Sequence, residues 1–312
     1  MKKTGKERIQ RIINPAVLKI LETERKKNYQ LDIKGERIKK NEQAIYVANH
    51  YCELDIPTTL EVIGKHVFVL ISHEDKYNEM KEEKGGKILT NLNGAVWIDR
   101  ADKEDRKRSF EEMKKHLEKG HSVLIYPEAI WNISPNQLML PIHKGAVELS
   151  MSTNVPIRPI ISIYNQDTIV SKIGEKYHPQ NIPLDTKKAD EDILRNVMAI
   201  EQTKHLRDIM ATDMYELIEE NGRIQSREEL QDLEADYNRY YKAPKLSMQV
   251  EDFMEYQDQF MLKLPNTDAP EEVFSYLSSI KTNNTKTAFL RDEQNKHGRA
   301  NYKKLVRKME QK

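Results

Sequence analysis

The chain has 312 residues, with 51 Lys/Arg against 50 Asp/Glu and a single cysteine. That length supplies apolar material for one large core or two small ones. One cysteine excludes an internal disulfide framework and a cysteine-based zinc site, and the balanced total charge makes no demand for a nucleic-acid partner.

The distribution of charge is less even than its sum. Residues 1–40 hold thirteen Lys/Arg against five Asp/Glu, which leaves 38 against 45 in the rest. A basic arm on a mildly acidic body fits docking to an anionic surface. No apolar run approaches the roughly 18 residues that span a bilayer, and no signal-peptide pattern opens the sequence. The expectation is a cytoplasmic protein, peripheral on the inner face of the membrane.

Residues 6–28 read as a helix. Ile9, Ile12, Ile13, Val17, Ile20 and Leu21 recur at roughly helical spacing, with Lys and Arg beside them. Pro15 is expected to break or kink it. A basic amphipathic helix of this kind lies in a membrane interface or packs on the following domain, and both readings stand at this point.

From Leu31 short strands and helices alternate. Strands are expected at 44–48, 67–72, 95–98, 122–126 and 157–163, the last at an edge or bulge because it contains Pro159. Helices are expected at 57–63, stopped by Gly64, at 103–119, stopped by Gly120, and at 144–151. Alternation of this kind predicts an α/β sheet whose site lies at the strand ends. His50, Asp99-Arg100 and Glu128 each follow a predicted strand directly, which places them where a site forms. Beyond residue 190 come long charged helical stretches, at 190–221, 226–242, 248–263 and 270–281, and a polar, basic last thirty residues expected to be partly disordered.

The residues at those strand ends carry chemistry. His50 is followed five positions later by Asp55, and none of the other eight histidines has an aspartate at that offset. An imidazole, with an ordinary pKa near 6.5, accepts protons at neutral pH, and a carboxylate fixes its tautomer and stabilises the imidazolium. With His50 just ahead of a helix and Asp55 in its first turn, the short acidic side chain can reach back, as in a capping box. Arg100 offers a planar guanidinium suited to a phosphate. Cys52, two residues from His50 on an extended segment, is a candidate nucleophile for a covalent route.

Four blocks gather these residues: Asn49-His50 through Asp55, Gly94 through Asp99-Arg100, Tyr126-Pro127-Glu128-Ala129-Ile130-Trp131-Asn132, and Val155-Pro156-Ile157-Arg158-Pro159-Ile160. In this order they resemble the PlsC-type acyltransferases, the lysophosphatidic acid and glycerol-3-phosphate acyltransferase superfamily, whose blocks are NHxSxxD, GxxxIDR, FPEGTRS and VPIxPV. The resemblance spans about residues 31–165, and Pro141 through Ala146 resembles the linking PFKKGA segment.

The resemblance implies a mixed α/β sheet flanked by helices, of the glycerolipid-acyltransferase kind. Together with the basic start and the change of character near residue 190, it gives a basic helix (1–28), an acyltransferase domain (29–189) and a charged helical extension (190–312) whose end is expected to be partly disordered. It implies transfer of a fatty acyl group from acyl-carrier protein or acyl-CoA to a hydroxyl of a lysophospholipid-type acceptor, with no metal and no cofactor beyond the donor. His50 is then the base and Asp55 its partner. Arg100 and Glu128 then belong to the acceptor site; Asp99, Trp131 and Lys144 are added to it as substrate-binding candidates from their own positions and chemistry, with His143 a further loop candidate. Cys52 stands at the usual serine position, and direct attack without an acyl-enzyme is implied.

The third block departs from the pattern. Ala129-Ile130-Trp131 replaces Gly-Thr-Arg, so the arginine that grips phosphate is missing and alanine disfavours a positive φ. Three readings follow: Arg100 holds the phosphate with Lys144 or Arg158; the acceptor carries no phosphate and Trp131 stacks on a sugar or apolar group; or the protein is a weakened, membrane-docking member.

Overall fold

The computed structural model describes residues 5–52, 54–72, 94–100, 102–129, 131–132, 138–140, 142–165, 167–179 and 191–221. The helices expected at 226–242, 248–263 and 270–281, and the polar tail, lie outside the described residues.

Among the described residues the elements run α1 (Gly5–Arg25), β1 (Gln30–Lys34), β2 (Ile45–Ala48), α2 (Asp55–Ile63), β3 (Phe68–Ser72), β4 (Ala95–Ile98), α3 (Lys103–Glu118), β5 (Val123–Ile125), α4 (Gly145–Thr153), β6 (Ile157–Asn165), β7 (Thr168–Ile173) and α5 (Glu191–Asn221). The strands form one seven-stranded sheet of order β1-β7-β6-β2-β5-β3-β4. All pairs are parallel except β6 with β7.

The central strands β2 and β5 are apolar and buried at every position, as the middle of a crossover-connected parallel sheet covered on both faces requires. Successive residues of β2 take opposite sides. Ile45 and Val47 join Met113 and Leu117 of α3, Val147 and Leu149 of α4, and Leu206 and Met210 of α5. Tyr46 and Ala48 join Leu60 and Ile63 of α2, with Leu18 and Leu21 of α1 packed alongside. The result is a three-layer α/β architecture. The charge density that sets residues 190–221 apart in the sequence does not set their packing apart, since α5 buries Ala199, Leu206, Met210, Met214 and Leu217 in the same core as the central strands.

At two prolines the structure corrects the sequence reading. Helix α1 is not broken at Pro15 but runs on through it. Pro15 is on the exposed side, where water can satisfy the carbonyl that its missing N–H leaves free. Pro159 lies within β6, a strand interior to the sheet, and not at an edge. Its carbonyl accepts from Gly174 N at 2.9 Å, one residue past the end of β7. The absent N–H points to that same side, so it falls where the regular β6–β7 ladder has already stopped.

Candidate active site

Strand β2 ends at Ala48, and Asn49 is pinned to β6 on its way out. Its side-chain amide donates to Ser162 O at 3.0 Å, and its Oδ1 accepts from Ser162 N at 2.8 Å. His50 is therefore the first residue free of the sheet at its carboxyl end. Helix α2 begins with Asp55, and the residue before it, Leu54, makes no side-chain cap. The Asp55 carboxylate turns back instead. Its Oδ2 lies 2.8 Å from His50 Nδ1 and accepts from the backbone amides of Tyr51 and of Cys52, the latter at 2.9 Å.

Its other oxygen, Oδ1, accepts from the Tyr164 hydroxyl at 2.6 Å. Asp55 is 2% exposed and His50 16% exposed as side chains, so the carboxylate is enclosed while one edge of the imidazole reaches the surface. Because Oδ2 is already the acceptor of two amides, Nδ1 is the donor in the pair, and Nε2 carries the lone pair.

Aromatic rings fix the imidazole from the sides. The Tyr126 ring centroid is 4.8 Å from that of His50, and Trp131 meets it edge-on at 6.1 Å. Tyr51 stacks on Tyr164 at 5.6 Å. Burial, and then the Asp55 charge, hold the hydroxyls of Tyr126 and Tyr164 well above the ordinary phenol range. Tyr164 therefore remains a donor to Asp55 throughout the neutral range.

Strand β5 lies beside β2 in the same direction, so its end brings Glu128 to His50. Glu128 is 3% exposed. One carboxylate oxygen accepts from His50 N at 2.9 Å and the other from Leu140 N at 2.8 Å. Burial pushes its pKa up to about 8, against the opposing pull of these two amides and of the Arg207 charge. Both Glu128 oxygens are thus engaged with the backbone that frames His50.

The turn after Glu128 takes up the left-handed conformation even though alanine disfavours it. Ala129 adopts φ 61°, with its N–H donating to Tyr126 O at 3.0 Å. Its carbonyl accepts from Arg100, which reaches across from the end of β4. Two residues on, Trp131 is buried at 3% exposure. The indole is a wall behind the imidazole and presents no open face for stacking. Asn132 closes the loop by donating to His50 O at 2.7 Å.

The structure thus brings together His50, Asp55, Glu128 and Trp131, with Arg100 attached through Ala129. Asp99 is exposed beside Arg100, its N–H bonded to Asp105 Oδ2 at 2.6 Å. Lys144 is directed to helix residues, with its ammonium 2.7 Å from Glu148 Oε1 and bonded to Asn196 Oδ1. Arg158 is engaged elsewhere in the sheet: it holds Glu42 through two contacts of 2.6 and 2.7 Å and donates to Glu36 O at 2.8 Å. Its place near the start of the β2 ladder is far along the strand from His50. His143 donates its N–H to Pro127 O at 2.8 Å. Cys52 Sγ lies 3.8 Å from Asp55 Oδ1.

Sequence reasoning missed two residues. Tyr164 sits one position beyond the predicted end of β6, and only its place at a strand's carboxyl end marks it. Arg207 lies mid-helix in α5 and is 5% exposed. Its Nη2 donates to Met139 O at 3.0 Å, and no local pattern in the sequence distinguishes it from its charged neighbours.

Comparison with known proteins adds three findings. The acyltransferase family model matches residues 30–163. An uncharacterized acyltransferase of Schizosaccharomyces pombe is 27% identical over 154 residues, which is 49% of this chain and 50% of that protein. This chain therefore aligns with about half the length of that curated relative. The crystal structure of the 1-acyl-sn-glycerophosphate (LPA) acyltransferase PlsC from Thermotoga maritima superposes with a TM-score of 0.46 at 19% identity, covering 65% of this chain and 83% of that one. The four blocks fall in order within the matched segment, so residues 30–163 of this chain are similar to the acyltransferase family.

Proposed function

We propose that this protein is an acyltransferase that moves a fatty acyl group from a thioester donor, acyl-carrier protein or acyl-CoA, to a hydroxyl of a lysophospholipid-type acceptor. The observation that carries the reading is the His50–Asp55 pair at 2.8 Å, with the carboxylate enclosed and the imidazole edge open. Nε2 takes the proton of the acceptor hydroxyl as its oxygen attacks the thioester carbonyl. The C–S bond breaks, the acyl–oxygen ester forms, and the thiol leaves with the proton that His50 returns. Asp55 balances the imidazolium between these steps.

The test is His50→Ala, with thioester-dependent acylation followed by release of free thiol. A fall of roughly 10³-fold or more with an unchanged circular dichroism spectrum is expected. Turnover within about tenfold of the parent sinks the assignment.

Acceptor recognition rests on Arg100. With Trp131 buried where the block's arginine stands, and Arg158 and Lys144 held by Glu42, Glu148 and Asn196, Arg100 is the cation of the four blocks attached to the His50 loop. Those same observations favour a second reading, an acceptor without phosphate at this position. Parallel assays with lysophosphatidic acid and with a neutral lysolipid separate the two: loss of lysophosphatidic acid use in Arg100→Gln supports the phosphate reading, and preference of the parent for the neutral lysolipid supports the other.

The reading includes peripheral docking to an anionic membrane surface by α1. Ile9, Ile12 and Ile20 are 54%, 77% and 51% exposed on one face of that helix, within the basic first forty residues. Among the described residues no helix is long and apolar enough to cross a membrane.

A further inference from the structure

The aligned segment ends at residue 163, yet the frame of His50 does not. A run of bonds passes from His50 to α5. The His50 amide donates to one oxygen of Glu128 at 2.9 Å, and the other oxygen accepts the Leu140 amide at 2.8 Å. Leu140 follows Met139, whose carbonyl accepts from Arg207 Nη2 at 3.0 Å. Leu138, Met139 and Leu140 are each 4% exposed or less, so this short strap is a buried layer between α5 and the Glu128 turn. Leu206 and Met210, which flank Arg207 on α5, lie in the same core as Leu138 and Met139, so the guanidinium is carried on a helix that cannot shift independently of the sheet.

We propose that Arg207, on α5, is a positioning residue for the His50 site: it clamps the Leu138–Leu140 strap against Glu128, and through Glu128 it fixes the backbone from which His50 projects. This rests on the acyl-transfer reading only for its consequence in turnover; the clamp itself is a property of the fold.

Arg207→Met keeps the stem of the side chain and removes its charge and its donors. In the full chain we expect amide hydrogen exchange at Leu140 and His50 to accelerate on the order of tenfold or more, with the amides of β5 and β6 unchanged. In thioester turnover kcat should fall on the order of tenfold while KM for the donor stays within about twofold, and Arg207→Lys should restore most of both. Unchanged protection at Leu140 and His50 in a folded Arg207→Met protein overturns the proposal. If that variant does not fold, Arg207→Lys and Arg207→Gln are compared. Higher protection at the two amides with lysine supports the clamp, and equal protection overturns it. Because exchange is read without substrate, loss of the clamp is distinguishable from failure of the acyl-transfer reading, which His50→Ala decides.

Discussion

Glu128 is the residue at which burial and ionisation oppose each other most directly. Its folded pKa is raised from 4.5 to about 8 by burial, so the folded protein holds a proton that the unfolded chain gives up in the ordinary carboxylate range. Stability from this group is fully present below pH 4.5 and is lost as pH rises toward 8. Urea unfolding at pH 5 and pH 8.5 should show a decline on the order of a few kcal/mol that is absent in Glu128→Gln, which does not titrate. The comparison is between slopes, since glutamine turns an NH2 toward one of the two amide donors and carries its own constant cost. Ala129 allows a simpler test. An L-residue at φ 61° is strained, so Ala129→Gly should raise stability by about 1 kcal/mol in thermal or urea unfolding. No gain would mean the turn is relaxed by contacts that glycine loses.

At the scale of elements, the strands and helices that carry the site were readable because apolar runs and glycine stops coincide there. The helix stop at Gly64 is a left-handed C-cap at φ 65°, and β4 falls on Ala95–Ile98 as expected. His50 and Glu128 were placed correctly at strand ends. That they touch depends on β2 and β5 being neighbours, and strand order is not written in local pattern. Lys144 and Arg158 illustrate the converse. Charge at a block position reads as a ligand for phosphate, and only the fold shows that Glu148, Asn196 and Glu42 already hold them. Strands β1 and β7 were missed, and for β1 Gln30, Asp32 and Lys34 show why: the polar alternation of an edge strand looks like a loop. Their pairing has its own check. A Cβ on Gly35, at φ +86°, would stand 2.3 Å from Ile173 O. Gly35→Ala should therefore cost about 2–4 kcal/mol and loosen β1 from β7, visible as faster exchange along Gln30–Lys34.

For the whole molecule the distribution of charge and exposed apolar groups sets an orientation. Helix α1 turns Val17, Leu18 and Leu21 toward the sheet and leaves Ile9, Ile12 and Ile20 outward, so the packing reading holds for one face and the docking proposal concerns the other. Flotation with phosphatidylglycerol-containing vesicles should recover the intact chain in the lipid fraction and lose it when Ile9, Ile12 and Ile20 are all changed to serine. Equal flotation of that variant would remove α1 from the docking surface. Recovery should also fall between low and high salt, because the basic residues act through a screened field.

Arg25 ends α1 and holds Glu61 of α2 through two contacts, at 2.7 and 2.8 Å, and α2 is the helix that opens with Asp55. The outward isoleucines and the His50 pair therefore belong to one rigid frame. For a docked molecule, the height of His50 above the lipid plane is then a fixed dimension, like the reach of an arm bolted at both joints. An acceptor whose hydroxyl lies at another depth would have to leave the bilayer to meet it.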